Sequence, residues 1–259
     1  MDHGTRRAAK ILCDARTVLC LTGAGASAES GVPTFRDAQT GLYANRDPMD
    51  LASPGGFRRD RALVWSWYMS RLARLAEVVP NPGHYALAEL EASVPRLSLV
   101  TQNVDDLHER AGSIDVIHLH RSIASFRCFD CGHRYELQVE DRTAPEPPNC
   151  PDCGDFIRPD VVWFGEELPG ELLARTRQLA MEAQALLVVG TSGTVFPAAD
   201  IPYWAKTHGA TVIDVNPEVT PISRIADIFL RGESGAVLPS LLEAMELFGP
   251  HESDYDDGD

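Results

Sequence analysis

The chain has 259 residues, a formal net charge of −15, 44% hydrophobic and 24% charged residues. These values are ordinary for a globular protein, and the length suits one large domain or one domain with a sizeable insertion. The acidic charge argues against direct binding to nucleic acid, which requires a basic surface.

Both ends of the chain are polar and charged. Residues 1–10 are not followed by the apolar stretch of a secretory signal. No sequence stretch approaches the roughly 18 consecutive apolar residues of a membrane helix. We therefore expect a soluble, cytoplasmic protein without membrane contact, in which residues 250–259 form a disordered acidic tail.

Short apolar runs predict the buried strands of a parallel sheet. They are residues 18–21, 97–100, 116–119, 186–189 and 211–215. Helix-like stretches over 83–92 and 170–182 lie between successive runs. Strands that alternate with helices predict an α/β fold, with a Rossmann-like parallel sheet and helices on both faces.

Two regions interrupt this alternation. Residues 37–80 contain turns and an amphipathic stretch that predicts a helix over 61–77, whereas residues 121–159 are rich in Pro, Cys and charge. We assign both regions to a smaller domain made of a helical module and a zinc module. The Rossmann-like domain then comprises residues 1–36, 81–120 and 160–249. A cleft between the two domains is the expected binding site.

A Gly-rich loop follows the first predicted strand. The run Gly23-Ala24-Gly25-Ala26-Ser27-Ala28 fits G-x-G-x-x-[GA], in which glycines allow tight turning and close approach to a pyrophosphate. Gly31 and Pro33 would end a following helix almost at once, and no acidic residue ends a second strand about 20 residues later. The loop indicates a dinucleotide without indicating hydride transfer. Asp214-Val215-Asn216 is the candidate ribose-binding strand end.

Polar side chains follow the second predicted strand, in the run Thr101-Gln102-Asn103-Val104-Asp105. At the carboxyl end of a parallel strand they can orient a ribose, a nicotinamide amide and a water. Helix capping by Asn103 or Asp105 is an equally good interpretation. On the third predicted strand, the i and i+2 spacing of His118 and His120 places both on one face, which favours a general base there.

Two Cys-x-x-Cys pairs occur in the second interrupting region: Cys128 with Cys131, and Cys150 with Cys153. Each pair can bind one side of a tetrahedral metal ion, and a glycine after each pair suits the tight turn. Four thiolates leave no open coordination position for water. We therefore predict one structural zinc ion and no catalytic zinc.

Several motifs occur together in one order along the chain. They are Gly23-Ala24-Gly25-x-Ser27, Ser30-Gly-Val-Pro-x-Phe35-Arg36, Thr101-Gln-Asn-Val-Asp105-x-Leu-His108, His120, the four cysteines, Val162-Trp-Phe-Gly-Glu166 and Gly190-Thr-Ser192. This combination resembles the sirtuin family of NAD-dependent protein deacylases. The resemblance covers nearly the whole chain, from about residue 9 to residue 247.

The resemblance implies roles for individual residues. The NAD site around the reacting ribose would be lined by Gly23, Ala24, Gly25, Ser27, Phe35, Arg36, Gln102, Asn103 and Asp105. The adenosine half would be held by Gly190, Thr191, Ser192 and Asn216. His120 would be the general base, with Asn103 and Asp105 also catalytic. The substrate peptide would pair as an added strand with Val162, Trp163, Phe164, Gly165 and Glu166.

The implied reaction consumes NAD. Nicotinamide leaves, the acyl oxygen attacks the ribose carbon, and His120 activates a ribose hydroxyl to carry the reaction forward. The products would be free lysine, nicotinamide and 2′-O-acyl-ADP-ribose. An NAD hydrolase or mono-ADP-ribosyltransferase, and a non-catalytic sensor of NAD or acyl-lysine, stay open as alternatives. We expect a monomer whose partners are acylated lysines in proteins.

Tyr68 and Arg71, which share one face of the predicted helix, are the candidate residues for recognition of the acyl group. Spacing alone favours a solvated Arg71 and a Tyr68 partly in the core. The Tyr-x-x-Arg pattern, however, resembles the class III sirtuins, which remove succinyl, malonyl and similar acidic groups, and we expect deacetylase activity beside that preference. A guanidinium and a phenol can both hydrogen-bond a carboxylate, and Ala52 is small enough to leave a wide acyl pocket.

The chain departs from the sirtuin pattern directly after the general-base histidine. The family has glycine at that position, whereas this chain has Arg121. If the backbone there has a positive φ, arginine is strained by roughly 1–3 kcal/mol. Its side chain would then crowd the acyl channel or add a second cation for an acidic substrate.

Overall fold

In the computed structural model, which describes residues 2–33 and 47–249, a six-stranded parallel sheet forms the centre of the protein. Its strands are β1 (Val18–Thr22), β2 (Leu97–Thr101), β3 (Val116–His118), β7 (Ala185–Val189), β8 (Thr211–Asn216) and β9 (Ile228–Arg231). They lie in the order β3-β2-β1-β7-β8-β9, and every neighbouring pair is parallel. This sheet confirms the predicted α/β class.

The sequence analysis missed β9, which pairs only with β8 and lies at the edge of the sheet. An edge strand need not be apolar throughout, and in β9 buried and partly exposed residues alternate before the exposed Arg231. The other five strands begin or end within one residue of the predicted runs. Their residues are buried or nearly so, because helices cover both faces.

Helices pack on both faces of the sheet. One face contacts α1 (His3–Asp14), α6 (Pro82–Ser93) and α10 (Ser234–Glu246), and the other contacts α8 (Gly170–Glu182) and α9 (Ile201–Thr207). Alternation along β1 divides its side chains between the two cores: Val18 and Cys20 lie in the first, and Leu19 and Leu21 in the second. At the carboxyl ends of β1 and β2 the chain continues into the short helices α2 (Gly25–Ala28) and α7 (Leu107–Ala111).

The two interrupting regions pack together beside this sheet. The first contains α3 (Pro48–Leu51), α4 (Pro54–Arg59) and α5 (Arg61–Glu77), and α5 has the predicted bounds. The second forms an antiparallel sheet of β4 (Arg121–Cys128), β5 (Arg134–Tyr135) and β6 (Ile157–Val161), in the order β5-β4-β6. One hydrophobic cluster joins α5 to this sheet through Trp65, Tyr68 and Phe126.

The boundaries of the two domains, 37–80 and 121–159 against the rest, remain a prediction. β6 continues to Val161, and the Trp163 side chain also lies in the hydrophobic cluster of the smaller unit. Among the helices formed by residues 2–33 and 47–249, none is both long and apolar enough to cross a membrane.

Candidate functional site

The turns after β1 and β7 pack directly against each other. The Gly25 N–H donates to the Gly190 carbonyl at 2.8 Å, and the Gly23 N–H donates to the Val189 carbonyl at 3.0 Å. A Cβ on Gly25 would lie 2.7 Å from the Gly190 oxygen, and one on Gly190 (φ +60°) would lie 2.4 Å from the Ala26 nitrogen. Glycine at these positions is therefore required by the contact between the two turns, a reason that adds to the tight turning and the approach to a pyrophosphate expected of the first loop.

Ser27 is the centre of a buried polar network at the carboxyl ends of β1 and β2. Asn103 Nδ2 donates to Ser27 Oγ at 3.0 Å, and Ser27 Oγ donates to Asp105 Oδ2 at 3.1 Å. The second Asp105 oxygen accepts the Leu107 N–H at 3.3 Å. Burial raises the pKa of Asp105, although these two donors act in the opposite direction. Asp105 thus accepts hydrogen bonds from the polar cluster and from the N–H of the first residue of α7, which is compatible with either interpretation.

Two further histidines, to which no role was assigned from the sequence, lie beside this network. His84 Nδ1 accepts the Asn81 N–H at 3.2 Å, so its proton lies on Nε2, which is 3.4 Å from Ser27 Oγ. His108 Nε2 lies 2.9 Å from Thr22 Oγ1. Burial lowers the pKa of His84 to about 4 and that of His108 to about 3, so both are neutral. The capping box at Asn81 was the one sequence signal for His84.

A second set of contacts joins the ends of β2, β7 and β8. Gln102 Nε2 donates to Thr191 Oγ1 at 2.8 Å, and Asn216 Nδ2 donates to the Thr191 carbonyl at 2.9 Å. Ser192 Oγ lies 2.8 Å from Thr194 Oγ1. Residues that are far apart in the sequence therefore meet at one edge of the sheet. Their amides and hydroxyls have the donor and acceptor chemistry that suits the ribose hydroxyls of a dinucleotide.

His120 lies two residues beyond the end of β3. Its Nδ1 is 2.9 Å from the Gln102 carbonyl oxygen, which can only accept, so Nδ1 carries the proton and Nε2 keeps its lone pair. Burial lowers the pKa of His120, and its bond to the Gln102 carbonyl only partly offsets this effect. The side chain is therefore a neutral imidazole with a free basic nitrogen.

His118 is the other histidine that the strand pattern offered as a base. Its Nε2 is 2.6 Å from Glu109 Oε1 and its Nδ1 is 3.2 Å from the Asn103 carbonyl. Burial lowers the pKa of His118, but the hydrogen bond and charge of Glu109 outweigh it and raise the pKa overall. Both nitrogens face acceptors, so His118 has no free lone pair. Of the two histidines, the geometry favours His120 as the base.

Tyr68 and Arg71 lie about one turn apart on α5, and Tyr68 contacts Trp163 in the segment after β6. Tyr68 is 5% exposed, and its hydroxyl accepts the Trp163 Nε1–H at 2.8 Å. Arg71 is half-buried, with its guanidinium 4.9 Å from the centre of the Trp67 ring. Burial lowers its pKa, opposed by the charges of Tyr68 and Asp105. Within residues 2–33 and 47–249, Arg71 forms no salt bridge with a carboxylate.

Residues 162–166 run from His120 toward Ala52 and Tyr68. The Val162 N–H donates to the His120 carbonyl at 3.1 Å, and the Phe164 N–H donates to the Ala52 carbonyl at 2.9 Å. Glu166 Oε2 accepts the Trp163 N–H at 2.9 Å. Gly165 has φ +86°, which glycine adopts without strain. The segment is thus held at both ends, with Phe164 41% exposed.

Four cysteines come together as the sequence predicted. The Sγ atoms of Cys128, Cys131, Cys150 and Cys153 all lie within 4.8 Å of one another. Two of the distances are 3.4 and 3.7 Å, close to the ~3.8 Å edge of a tetrahedron built with Zn–S bonds of about 2.3 Å. The glycines after the pairs have φ +73° and +80°. The thiolate set fits one tetrahedral, closed, structural zinc ion, as in sirtuins.

Arg121 has φ +61°, the only positive φ among the non-glycine residues that the structure describes. The side chain is not a free cation, because Arg121 Nη1 donates to Asp160 Oδ2 at 2.7 Å. Asp160 also faces Arg127, with Oδ1 2.8 Å from Nε. The departure from the family pattern therefore introduces backbone strain and a salt bridge to β6.

Replacing Arg121 by glycine is expected to give a protein that is more stable than the Arg121→Ala variant by about 1 kcal/mol. Both variants lose the salt bridge to Asp160, but only glycine relieves the strain of the left-handed backbone. Part of this stabilisation is offset by the greater conformational freedom of glycine in the unfolded chain. Urea denaturation followed by tryptophan fluorescence measures the difference. Equal free energies of unfolding for the two variants would show that residue 121 is not strained.

Phe35 and Arg36, which were also assigned to the NAD site, lie outside the described residues. The predicted acidic tail, 250–259, lies outside them as well.

Comparisons with known proteins agree with this geometry. The model of the Sir2 family matches residues 23–197. An NAD-dependent protein deacylase of Methylococcus capsulatus is 49% identical over 92% of this chain and 96% of its own length. A crystal structure of a Sir2 homologue–NAD complex superposes with a TM-score of 0.88 at 42% identity, covering 96% of this chain and 95% of that one. A Sir2 structure bound to a myristoylated histone peptide has a TM-score of 0.78 at 37% identity, covering 96% and 98% of the two chains.

Proposed function

This chain belongs to the Sir2 family and is an NAD-dependent protein-lysine deacylase, and we propose that it prefers acidic acyl groups such as succinyl and malonyl. Acetyl-lysine would be a second substrate. The observation that carries the preference is the half-buried Arg71, which has no carboxylate partner among residues 2–33 and 47–249, next to the buried hydroxyl of Tyr68. A partly desolvated guanidinium is stabilised by an anion, and a terminal carboxylate supplies one.

His120 acts as the general base in this proposal. NAD, when bound, supplies the ribose carbon that takes up the acyl oxygen and the hydroxyl that must lose a proton. The free Nε2 of His120 accepts that proton, while the Gln102 carbonyl holds the ring through Nδ1. The products would be free lysine, nicotinamide and 2′-O-acyl-ADP-ribose.

The polar residues at the strand ends bind and orient the dinucleotide. Asn103 and Asp105 would bind the nicotinamide ribose, and their hydrogen bonds to Ser27 fix their orientation. Gly23, Ala24, Gly25, Gln102, Phe35 and Arg36 complete this half of the site, and Gly190, Thr191, Ser192 and Asn216 hold the adenosine half. For Phe35 and Arg36 the assignment follows from the family resemblance alone, and for the other residues also from their positions at the ends of the strands.

The acylated lysine reaches the site as part of an extended peptide that pairs with residues 162–166. A Sir2 structure bound to a myristoylated histone peptide supports the binding of an acylated peptide, and the strand pairing is our proposal. Here the segment lies between the His120 and Ala52 carbonyls. A peptide strand at this position would direct its acyl-lysine between His120 and the pocket of Ala52, Tyr68 and Arg71.

The double variant Tyr68→Phe, Arg71→Met tests the acyl preference. We expect kcat/KM for a succinyl peptide to fall at least about tenfold, because each lost hydrogen bond to a charged carboxylate is worth roughly 1.5–3 kcal/mol. The acetyl peptide of the same sequence should lose far less, so the preference reverses. Product formation is followed by mass spectrometry. Equal losses on the two peptides would refute the assignment of the pocket.

An NAD hydrolase or mono-ADP-ribosyltransferase is less well supported. The unusual Arg121 is the feature that kept this alternative open, and its side chain is paired with Asp160. The same product assay separates the functions, because free ADP-ribose or ADP-ribosylated protein would replace the acylated product.

A further inference from the structure

We infer that Trp163 determines acyl selectivity by orienting the hydroxyl of Tyr68, an inference that rests on the proposed preference for acidic acyl groups. Trp163 belongs by its backbone to the segment proposed to bind the peptide, and by its indole to the acyl pocket. It acts on the substrate through Tyr68, so it is a positioning residue.

The hydrogen bond between Trp163 and Tyr68 determines the direction of the phenolic proton of Tyr68. Trp163 Nε1 can only donate, and it donates to the Tyr68 oxygen at 2.8 Å. The phenolic proton must therefore point away from the indole. Among the described residues, no acceptor for that proton is found, although Tyr68 is only 5% exposed. A buried hydroxyl whose proton lacks an acceptor favours a ligand that offers one.

Burial also keeps this proton in place over the physiological range. It raises the pKa of Tyr68 to about 12, and the indole N–H, the first of the opposing causes, does not reverse that shift. The phenol is therefore a donor, and a carboxylate is the acyl terminus that it serves best. An acetyl group ends in a methyl group, which accepts no hydrogen bond at this position. The oriented proton consequently discriminates between the two acyl classes.

The indole cannot easily turn away from Tyr68. The Arg158 guanidinium carbon lies 3.3 Å from the centre of the Trp163 ring, and Arg158 itself is 1% exposed. Arg158 is paired with Glu166, whose carboxylate also accepts the Trp163 backbone N–H at 2.9 Å. The Phe57 ring also packs against the indole, with ring centres 5.4 Å apart. The direction of the N–H is thus fixed by a buried cation, a carboxylate and an aromatic ring.

A purely structural role would also explain a buried Trp–Tyr hydrogen bond, so the test must measure selectivity. Trp163→Phe keeps an aromatic ring against Arg158 and removes the N–H. We expect the ratio of kcat/KM for succinyl over acetyl peptides to fall about three- to tenfold, the range for one hydrogen bond. The additional decrease in kcat/KM for the succinyl peptide should come from a higher KM. The lost contact is made to the acyl group in the bound substrate as well as in the transition state.

Trp65→Phe is the matched control. Trp65 is a buried tryptophan of the same hydrophobic cluster, and its Nε1 donates to the Asp141 carbonyl at 3.2 Å instead of to Tyr68. We expect this variant to lose stability and to keep the selectivity ratio. If Trp163→Phe does not fold, 3-benzothienylalanine at position 163 removes the N–H and keeps the two-ring shape.

The double variant Trp163→Phe, Tyr68→Phe shows whether Trp163 acts through Tyr68. It should have the same selectivity ratio as Tyr68→Phe alone, and additive losses would overturn the inference. An unchanged ratio in Trp163→Phe, while Tyr68→Phe loses its preference, would overturn the inference and leave the proposed function intact. A wild-type protein without succinyl preference would overturn the proposed acyl specificity itself.

Discussion

Replacing His120 by alanine is expected to lower the rate of lysine deacylation by about 10²–10⁴-fold, the usual contribution of a general base. His120 keeps a free Nε2 because its Nδ1 is bonded to the Gln102 carbonyl, and alanine leaves no group that could take the ribose proton. The rate is measured with one acylated peptide and NAD, by quantifying the deacylated lysine that forms. NAD binding should change much less, since the strand-end amides and hydroxyls remain.

His118→Gln is the matched control for this variant. His118 lies on the strand that precedes His120, but its two nitrogens are occupied by Glu109 and the Asn103 carbonyl. Glutamine offers a polar side chain of similar reach, so most of the activity should remain. A loss in His118→Gln as large as that in His120→Ala would contradict the choice of base.

The pH profile supplies a second readout of the same assignment. Because burial lowers the pKa of His120, its basic form persists below the ordinary imidazole pKa and is lost as the pH falls through the lowered value. The acid limb of kcat/KM should therefore lie below that ordinary value. Glu109 raises the pKa of His118, so an acid limb above the ordinary value would point to His118 instead.

Loss of the zinc site is expected to unfold the smaller unit. Structural zinc contributes roughly 10–16 kcal/mol of apparent binding free energy, comparable to the 5–15 kcal/mol stability of a whole domain. Cys128 and Cys150 are 0% and 3% exposed, so Cys128→Ser or Cys150→Ser also leaves an unmatched polar group in the core of that unit. Metal analysis should find less than one zinc per chain, and limited proteolysis should cleave within β4–β6.

Cys13→Ser is the control for the effect of replacing a cysteine outside the proposed zinc site. Cys13 is half-buried beside α10, where its Sγ lies 3.7 Å from the Met245 carbonyl, and it is not one of the four clustered thiols. This variant should bind one zinc ion. Activity of the quartet variants should fall together with folding and return when excess zinc refolds the protein. One tightly bound zinc per chain in Cys128→Ser would rule out the quartet as the site.

The predictions that succeeded from sequence rest on local patterns. Apolar runs flanked by turns gave five strands of the central sheet, and an amphipathic period gave α5 with its observed bounds. The spacing of the two Cys-x-x-Cys pairs predicted the thiol cluster, because each pair is a local turn that needs only one partner. The edge strand β9 was missed since its burial depends on one neighbouring strand alone.

The sequence by itself determined the α/β class, the glycine turn, the metal ligands and the set of polar residues that could form a site. Only the tertiary structure decided which histidine keeps a basic nitrogen, since this depends on Gln102 and Glu109, which come from other elements. The same holds for the bond between Trp163 and Tyr68, which are 95 residues apart. The protonation state of a side chain, and the donors and acceptors that it keeps free, depend on the partners that folding brings to it. No local sequence pattern encodes those partners.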